Sequence, residues 1–225
     1  MDIFESIKSV LSPPHKAGYP FIMGGLAAAL VGLFVWSPLA WAGVLVTLFC
    51  LYFFRDPERV PPPRAGVFVA PADGLVVSIA QAVPPAELGL STAPLTRIAI
   101  FLSVLDVHVN RAPIAGTVQK IAYHPGLFLS AADDKASDEN ERNSLLLRLP
   151  TGEDVVVVQI AGLIARRILC EVREGQALAT GERIGIIRFG SRTDLYLPEG
   201  CTPLIAAGQR MIGGETAIAE LPRPA

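Results

Sequence analysis

"SLLLRLPTGEDVVVVQIA", Ser144 to Ala161, sets one apolar run against another across Pro150, Thr151, Gly152, Glu153 and Asp154. Both runs have strand length, the second is β-branched throughout its first half, and the polar turn between them carries a glycine, which together read as a β-hairpin. Working outward, "GVFVAPADGLVVSIA" from Gly66, "TRIAIFLSVLDVHVNRAPIAGTVQKIAYHP" from Thr96 and "ERIGIIRFGSRTDLYLP" from Glu182 repeat the pattern of β-branched runs bounded by Gly, Pro and Asp. "REGQALATGER" from Arg173 adds turn glycines on both sides of a short apolar piece. "PPAELGLST" from Pro84 and the highly polar "AADDKASDENERN" from Ala131 read as loops or a helical turn. No long amphipathic helix competes, so the fold class is β-rich α+β, an antiparallel β domain over residues 55–225.

The N-terminal quarter follows different rules. Between Lys16 and Arg55 there is no charged residue, and the stretch divides at Ser37-Pro38. This predicts an N-terminal membrane-associated helical hairpin over residues 17–54. At a rise of ~1.5 Å per residue the first leg, Ala17 to Trp36, reaches ~30 Å and the second, Leu39 to Phe54, ~24 Å. A full hairpin and a re-entrant anchor both stay open. Trp36, Trp41, Tyr52 and Phe53 fall near the ends of the legs, where amphipathic rings prefer the interface. The run is too long and too doubled for a cleaved signal peptide. Lys8 and Lys16 precede it and Arg55, Arg59 and Arg64 follow, which places both flanks in the cytoplasm. Residues 1–16, "MDIFESIKSVL" and onward, suit either an interfacial helix or a solvent-exposed one. "RDPERVPPPR" from Arg55 is a stiff connector.

Composition narrows the function classes. Half of the 225 residues are hydrophobic, and the net charge of −2 leaves no long basic stretch for nucleic acid. Cys50, Cys170 and Cys201 lie far apart without zinc spacing, so no metal site is expected and the thiols read as reduced and structural. No glycine-rich phosphate loop and no internal repeat is visible.

Three stretches pair turn residues with groups able to move protons: "PADG" with Asp73, "SVLDVHVNRAP" with Asp106 and His108, and "FGSR" with Ser191. A serine, an imidazole and a carboxylate are the parts of an activated nucleophile, though each is also common as a turn or a structural residue. Since His15 precedes the hairpin, His108 and His124 are the imidazole bases on offer.

Taken in order, "FFRDPER" after the hairpin, "PADG", "FLSVLDVHVNRAP", "YHPGLFLSAADDKASDENERN" and "IGIIRFGSRTDLYLP" resemble the phosphatidylserine decarboxylases, in their short archaeal-type form. The resemblance covers most of the chain after Arg55. It implies a self-processing proenzyme that splits between Gly190 and Ser191 into a β chain, 1–190, and an α chain, 191–225, which stay together as a heterodimer. It also implies that Ser191 becomes a covalent pyruvoyl group, the cofactor, which forms a Schiff base with phosphatidylserine and yields phosphatidylethanolamine and CO2 at the bilayer. Asp73 and His108 match positions that the family uses for proton transfer. Longer relatives carry a second histidine where this sequence has Arg111, so the self-cleavage base is His108 first and His124 second. Arg111 and Arg192 suit a phosphate or carboxylate of the substrate, or a surface salt bridge. Lys135, Asn140, Glu141 and Asn143 suit the site or its lid, or a solvated loop. Two rivals stand beside this reading: a non-catalytic membrane-anchored β carrier or adaptor, and a serine hydrolase, which would lack the G-x-S-x-G elbow. The sequence leaves assembly beyond one αβ pair open.

Overall fold

The computed structural model describes residues 12–127, 140–162, 167–188 and 191–222. The expected interfacial helix falls largely outside these residues, as do Lys135 and Gly190. The chain divides into two compact units, Met1–Glu58 and Arg59–Ala225.

In the first unit, α1 (Tyr19–Val35) and α2 (Ser37–Phe53) form an antiparallel hairpin. Trp36 between them is extended, and Pro38 in the first turn of α2 removes a donor that has no helical acceptor there. The seam is built from small residues: a side chain on Gly25 would meet Thr47, one on Gly32 would meet Ala40, and one on Gly43 would meet Ala29. Such residues let two backbones approach closely when the outer surface is apolar. The outward positions are indeed large and apolar, among them Leu30, Leu33, Phe34, Trp41 and Leu45. Among the described residues Lys16–Val35, at 20 residues, is the one helix long and apolar enough to cross a membrane, and Ser37–Phe53 is shorter. Phe53 departs from the interfacial role expected of it. It is fully buried, edge-on to Phe54 at 5.0 Å, because the base of the hairpin is closed by a bridge between Pro14 and Arg55 and a bond from the His15 N–H to the Phe54 carbonyl.

The second unit holds fourteen strands among the described residues. The first seven are β1 (Val67–Val69), β2 (Gly74–Ala82), β3 (Leu95–Leu102), β4 (Val109–Arg111), β5 (Gly116–His124), β6 (Arg142–Arg148) and β7 (Asp154–Ala161). Then come β8 (Arg167–Cys170), β9 (Ala177–Leu178), β10 (Arg183–Arg188), β11 (Ser191–Tyr196), β12 (Thr202–Pro203), β13 (Arg210–Met211) and β14 (Ala217–Glu220). An eight-stranded sheet runs β13-β2-β3-β11-β7-β6-β5-β9, and two three-stranded sheets run β4-β10-β8 and β1-β14-β12. Every pairing is antiparallel.

The hairpin predicted around "PTGED" is β6–β7, with Arg148 opposite Asp154 and Gly152 at φ +102°, a conformation glycine adopts without a Cβ penalty. "PPAELGLST" contains a single 3₁₀ turn, Ala86–Leu88, ended by Gly89. The main core lies on one face of the large sheet and includes Ile98, Ile100, Leu102, Val155, Val157 and Leu195. A smaller cluster, with Leu146, Val156, Val158, Ile160 and Tyr196, covers the other face.

Candidate active site

The two strands flanking residues 189–190 do not pair with each other. β10 lies between β4 and β8, whereas β11 lies at the heart of the large sheet between β3 and β7. The chain therefore leaves one sheet at Arg188 and is next described at Ser191 in the centre of another. Glutamates and lysines are absent from β11, and all six of its residues are buried.

Ser191 opens β11, opposite Leu102 of β3 and Ala161 of β7. Its hydroxyl is fully buried and has no hydrogen-bond partner among the described residues. A buried unpaired hydroxyl costs about 1–3 kcal/mol, so its persistence in a closely paired sheet calls for a use.

Register brings several predicted residues to the same sheet end. Leu75 pairs with Phe101, so Gly74 is level with Leu102, and Asp73 is the next residue along. On the other side, the Ala161 N–H donates to the Glu141 carbonyl, and Asn140 donates from Nδ2 to the Ala161 carbonyl at 2.8 Å. Asn140 thus sits two strands from β11, across β7 from Ser191, and is buried. His124 is at this end too, but on β5, exposed and three strands away from β11, roughly 14 Å at normal strand spacing.

His108 reaches the site from above. After Leu102 the chain turns at Ser103–Asp106, where the Asp106 carboxylate accepts from the Ser103 N–H at 2.9 Å and the Ser103 hydroxyl at 2.8 Å and pairs with Arg210. The turn aims the Asp106 carbonyl at His108 Nδ1, 3.0 Å away. With Nδ1–H donating to that carbonyl, Nε2 is the basic nitrogen. The His108 carbonyl in turn accepts from the Ile187 N–H, four residues before Ser191. Alternation places His108, Asn110 and Ala112 on one side of their strand, and Ala112 joins the core that holds Leu195. The Asn110 amide meets Gln159, which stands opposite Thr193. Read from the sheet end inward, His108, Asn110 and Ala112 follow Ser191, Thr193 and Leu195, which sets His108 at the level of Ser191.

Asp73 is held by Arg59, whose guanidinium donates to both carboxylate oxygens at 3.2 and 2.9 Å, and by the Gly213 N–H at 2.7 Å. His108 Nδ1 thus lies against the backbone of Asp106, and Asp73 receives an arginine from the "RDPER" segment. Of the other candidates, Arg111 is buried and donates to the Gly181 carbonyl at 2.9 Å. Arg192 is fully buried on the opposite face of β11 from Ser191, forked onto Asp194 at 2.6 and 3.0 Å.

Three polar groups, Gln159, Thr193 and Asn110, went unremarked in the sequence. Gln159 and Thr193 lie opposite each other on the Ser191 face, one residue pair further in. Asn143 donates to Gln159 at 3.0 Å and Gln159 to Asn110 at 2.8 Å, a buried amide chain. The Thr193 hydroxyl and Asn110 Nδ2 at its end have no hydrogen-bond partner among the described residues. The available signal was a lone glutamine in "VVVVQIA" and a threonine two residues after Ser191.

The opposite face of β11 is charged. Arg97 approaches Asp194 at 3.9 Å, and Arg142 forks onto Glu87 at 2.7 and 3.1 Å. Burial, with the Asp194 charge, pushes the Tyr196 phenol up to about 12. A cavity of about 300 Å³ opens there, lined by Pro84, Glu87, Arg142, Ile160, Asp194 and Tyr196. At the end of β10, burial and the like charge of Arg167 lower the Arg188 guanidinium.

The phosphatidylserine decarboxylase family model matches residues 46–219. A phosphatidylserine decarboxylase proenzyme of Granulibacter bethesdensis is 65% identical over 221 residues, covering 98% of this chain and 91% of its own. The proenzyme of the same name from Gluconacetobacter diazotrophicus is 58% identical over 225 residues, covering 98% and 100%. That of Cereibacter sphaeroides is 55% identical over 217 residues, covering 96% and 94%. A match over most of the β-rich unit and near-full-length identity above half leave one conclusion: the chain belongs to the phosphatidylserine decarboxylase family.

Proposed function

We propose that this chain is a proenzyme that cuts itself before Ser191 and then decarboxylates phosphatidylserine to phosphatidylethanolamine. The observation that carries the reading is the buried, unpartnered Ser191 hydroxyl at the head of the central strand. A hydroxyl that no neighbour claims is available to attack the carbonyl of the residue before it. The first step forms a C–O bond from Ser191 Oγ to that carbonyl carbon and breaks the Gly190–Ser191 amide, giving an ester and an amine. Loss of the Ser191 α-proton then expels the Gly190 carboxylate and leaves dehydroalanine, whose imine tautomer takes up water and releases ammonia. The product is a pyruvoyl group at residue 191.

The site fits such a group, because it is made from the orphaned hydroxyl itself and is enclosed by Leu102, Ala161 and the His108 strand. Once formed, it supplies a carbonyl that condenses with the substrate amine and draws in the electron pair left by departing CO2. His108 Nε2 is the proton carrier at this level of the sheet, taking the Ser191 hydroxyl proton during maturation and returning a proton to the substrate carbon in turnover. Burial of His108 keeps water away from that carbon. Asp73 and Arg59 fix the adjoining sheet end.

Cleavage need not release the small chain. β11 is hydrogen-bonded along its length to β3 and β7, β13 to β2, and β14 to β1, so residues 191–225 are woven into three contacts with the rest. The α and β chains would remain one folded heterodimer. An apolar hairpin tethers this unit to the membrane that holds its lipid, and the basic residues flanking the hairpin favour a cytoplasmic site.

Intact-mass measurement tests the reading. The expected result is two fragments divided after Gly190, the smaller carrying a pyruvoyl end, with CO2 released from phosphatidylserine. Ser191→Ala should give one uncut chain and no CO2; cleavage or turnover in that variant overturns the assignment. His108→Ala should block cleavage while His124→Ala leaves it intact, and the reverse pattern moves the base to His124.

A further inference from the structure

We infer that Asn110 and Thr193 bind the carboxylate of the lipid's serine headgroup, the group that leaves as CO2. This rests on the decarboxylase reading above and adds the recognition site to it. Ser191 and Thr193 lie on the same face of β11, roughly 7 Å apart along the strand. An amine held at Ser191 carries its carboxylate roughly 4 Å further, by ordinary bond lengths. A hydrogen bond of roughly 3 Å then reaches the next level of the sheet. At that level stand two fully buried groups without a partner among the described residues, the Thr193 hydroxyl and Asn110 Nδ2. Both can donate, and a carboxylate only accepts.

The amide chain supplies orientation. Asn143 donates to Gln159, and Gln159 donates to Asn110 Oδ1 at 2.8 Å, so the acceptor end of Asn110 is occupied and its NH2 end is left over at the level of Thr193. Neutral donors also suit the chemistry. A carboxylate clasped by a guanidinium is stabilised most before reaction, when its charge is full, and that stabilisation is lost as neutral CO2 forms. An amide and a hydroxyl orient the same group with less ground-state stabilisation. The arginines nearest in sequence are spent elsewhere: Arg192 faces the other side of β11 onto Asp194, and Arg111 donates to the Gly181 carbonyl.

The test uses the full-length protein in mixed micelles, with Thr193→Val, Thr193→Ser and Asn110→Asp. Asn110→Asp keeps the acceptor for Gln159 and replaces the donor by a like charge. Three readouts are taken: extent of cleavage by intact mass, KM and kcat for phosphatidylserine, and product inhibition by phosphatidylethanolamine, which lacks the carboxylate. Loss of one hydrogen bond to a charged group is worth about 10- to 100-fold. The expected result for Thr193→Val and Asn110→Asp is cleaved protein whose KM for phosphatidylserine rises by about that factor. Inhibition by phosphatidylethanolamine should be unchanged, and Thr193→Ser should recover wild-type KM. Kinetics within twofold of wild type overturn the inference. So does equal weakening toward both lipids, or a defect confined to cleavage that Thr193→Ser does not separate from the carboxylate-bearing substrate. Wild-type protein that stays whole and inactive would instead sink the decarboxylase reading itself.

Discussion

The two faces of β11 use the same kind of residue to opposite ends. On one, Ser191 and Thr193 bury hydroxyls that find no hydrogen bond among the described residues. On the other, one residue out of step, Arg192 and Asp194 bury full charges and satisfy them against each other, with Arg97 and Tyr196 beside them. Burial alone does not distinguish the faces, since all six residues are buried. Satisfaction does. Polar groups that pair with each other hold a strand in register, whereas those left unpaired at the same depth are the ones that the proposed cleavage and headgroup contact would use.

The largest effect expected from breaking this contrast comes from the paired face. Asp194→Ala strands the Arg192 guanidinium in a site with no exposed surface, and removing one partner of a buried ion pair costs about 3–5 kcal/mol. Thermal unfolding of the full chain should show it. Replacing both, with Arg192→Met and Asp194→Leu, should recover most of the loss, because the desolvation of two charges is removed together. If the double variant is as unstable as the single one, the pair does more than satisfy itself.

A smaller effect belongs to the rim of that face. Burial alone would raise Glu87, but the Arg142 hydrogen bond, its own backbone N–H, the Arg142 charge and the Ser144 hydroxyl together hold it below its ordinary value of 4.5. A depressed folded-state pKa means that the stabilisation is present above the unfolded value and is lost as pH falls through the folded one. Glu87→Gln should therefore cost about 1–2 kcal/mol at neutral pH, between exposed and buried ion pairs. The gap between variant and wild type should close as pH drops below about 4. A gap that is constant with pH would show that the carboxylate's charge is not the cause.

The sheet and the hairpin were legible because each depends on local patterning. Apolar alternation, turn glycines and an uncharged run announce themselves within a dozen residues, as at Pro150–Asp154 and Ser37-Pro38. Ser191, His108 and Asn140 could be nominated because they sit in short polar interruptions of an apolar chain. Their grouping could not be read, since it depends on which strands become neighbours. Nothing local says that β11 enters between β3 and β7 while β10 goes to another sheet. For the same reason the Asp106 carbonyl against His108 Nδ1 and the Arg59 fork on Asp73 could not be foreseen. Backbone acceptors carry no residue identity, so such a role leaves no trace in a motif. Gln159 and Thr193 escaped notice because a single polar residue in a strand is read as facing solvent, and only cross-strand register reveals that both face inward.

Thr193→Val should have the smallest effect on stability, and it is the sharpest probe of the contrast. Valine keeps the shape and the β-branch of threonine and so preserves strand geometry and packing against Ile100 and Gln159. What it removes is a hydroxyl that makes no hydrogen bond among the described residues and has already lost its water. Deleting a satisfied buried hydroxyl leaves its partner orphaned, whereas deleting an unsatisfied one relieves a desolvation cost. Unfolding of Thr193→Val should thus fall within about 1 kcal/mol of wild type, in either direction. Measured beside Asp194→Ala, one residue away on the same strand, a loss of similar size would mean that the inner hydroxyl is structurally engaged after all. The distinction between a paired and an unpaired face of β11 would then fail at its simplest point.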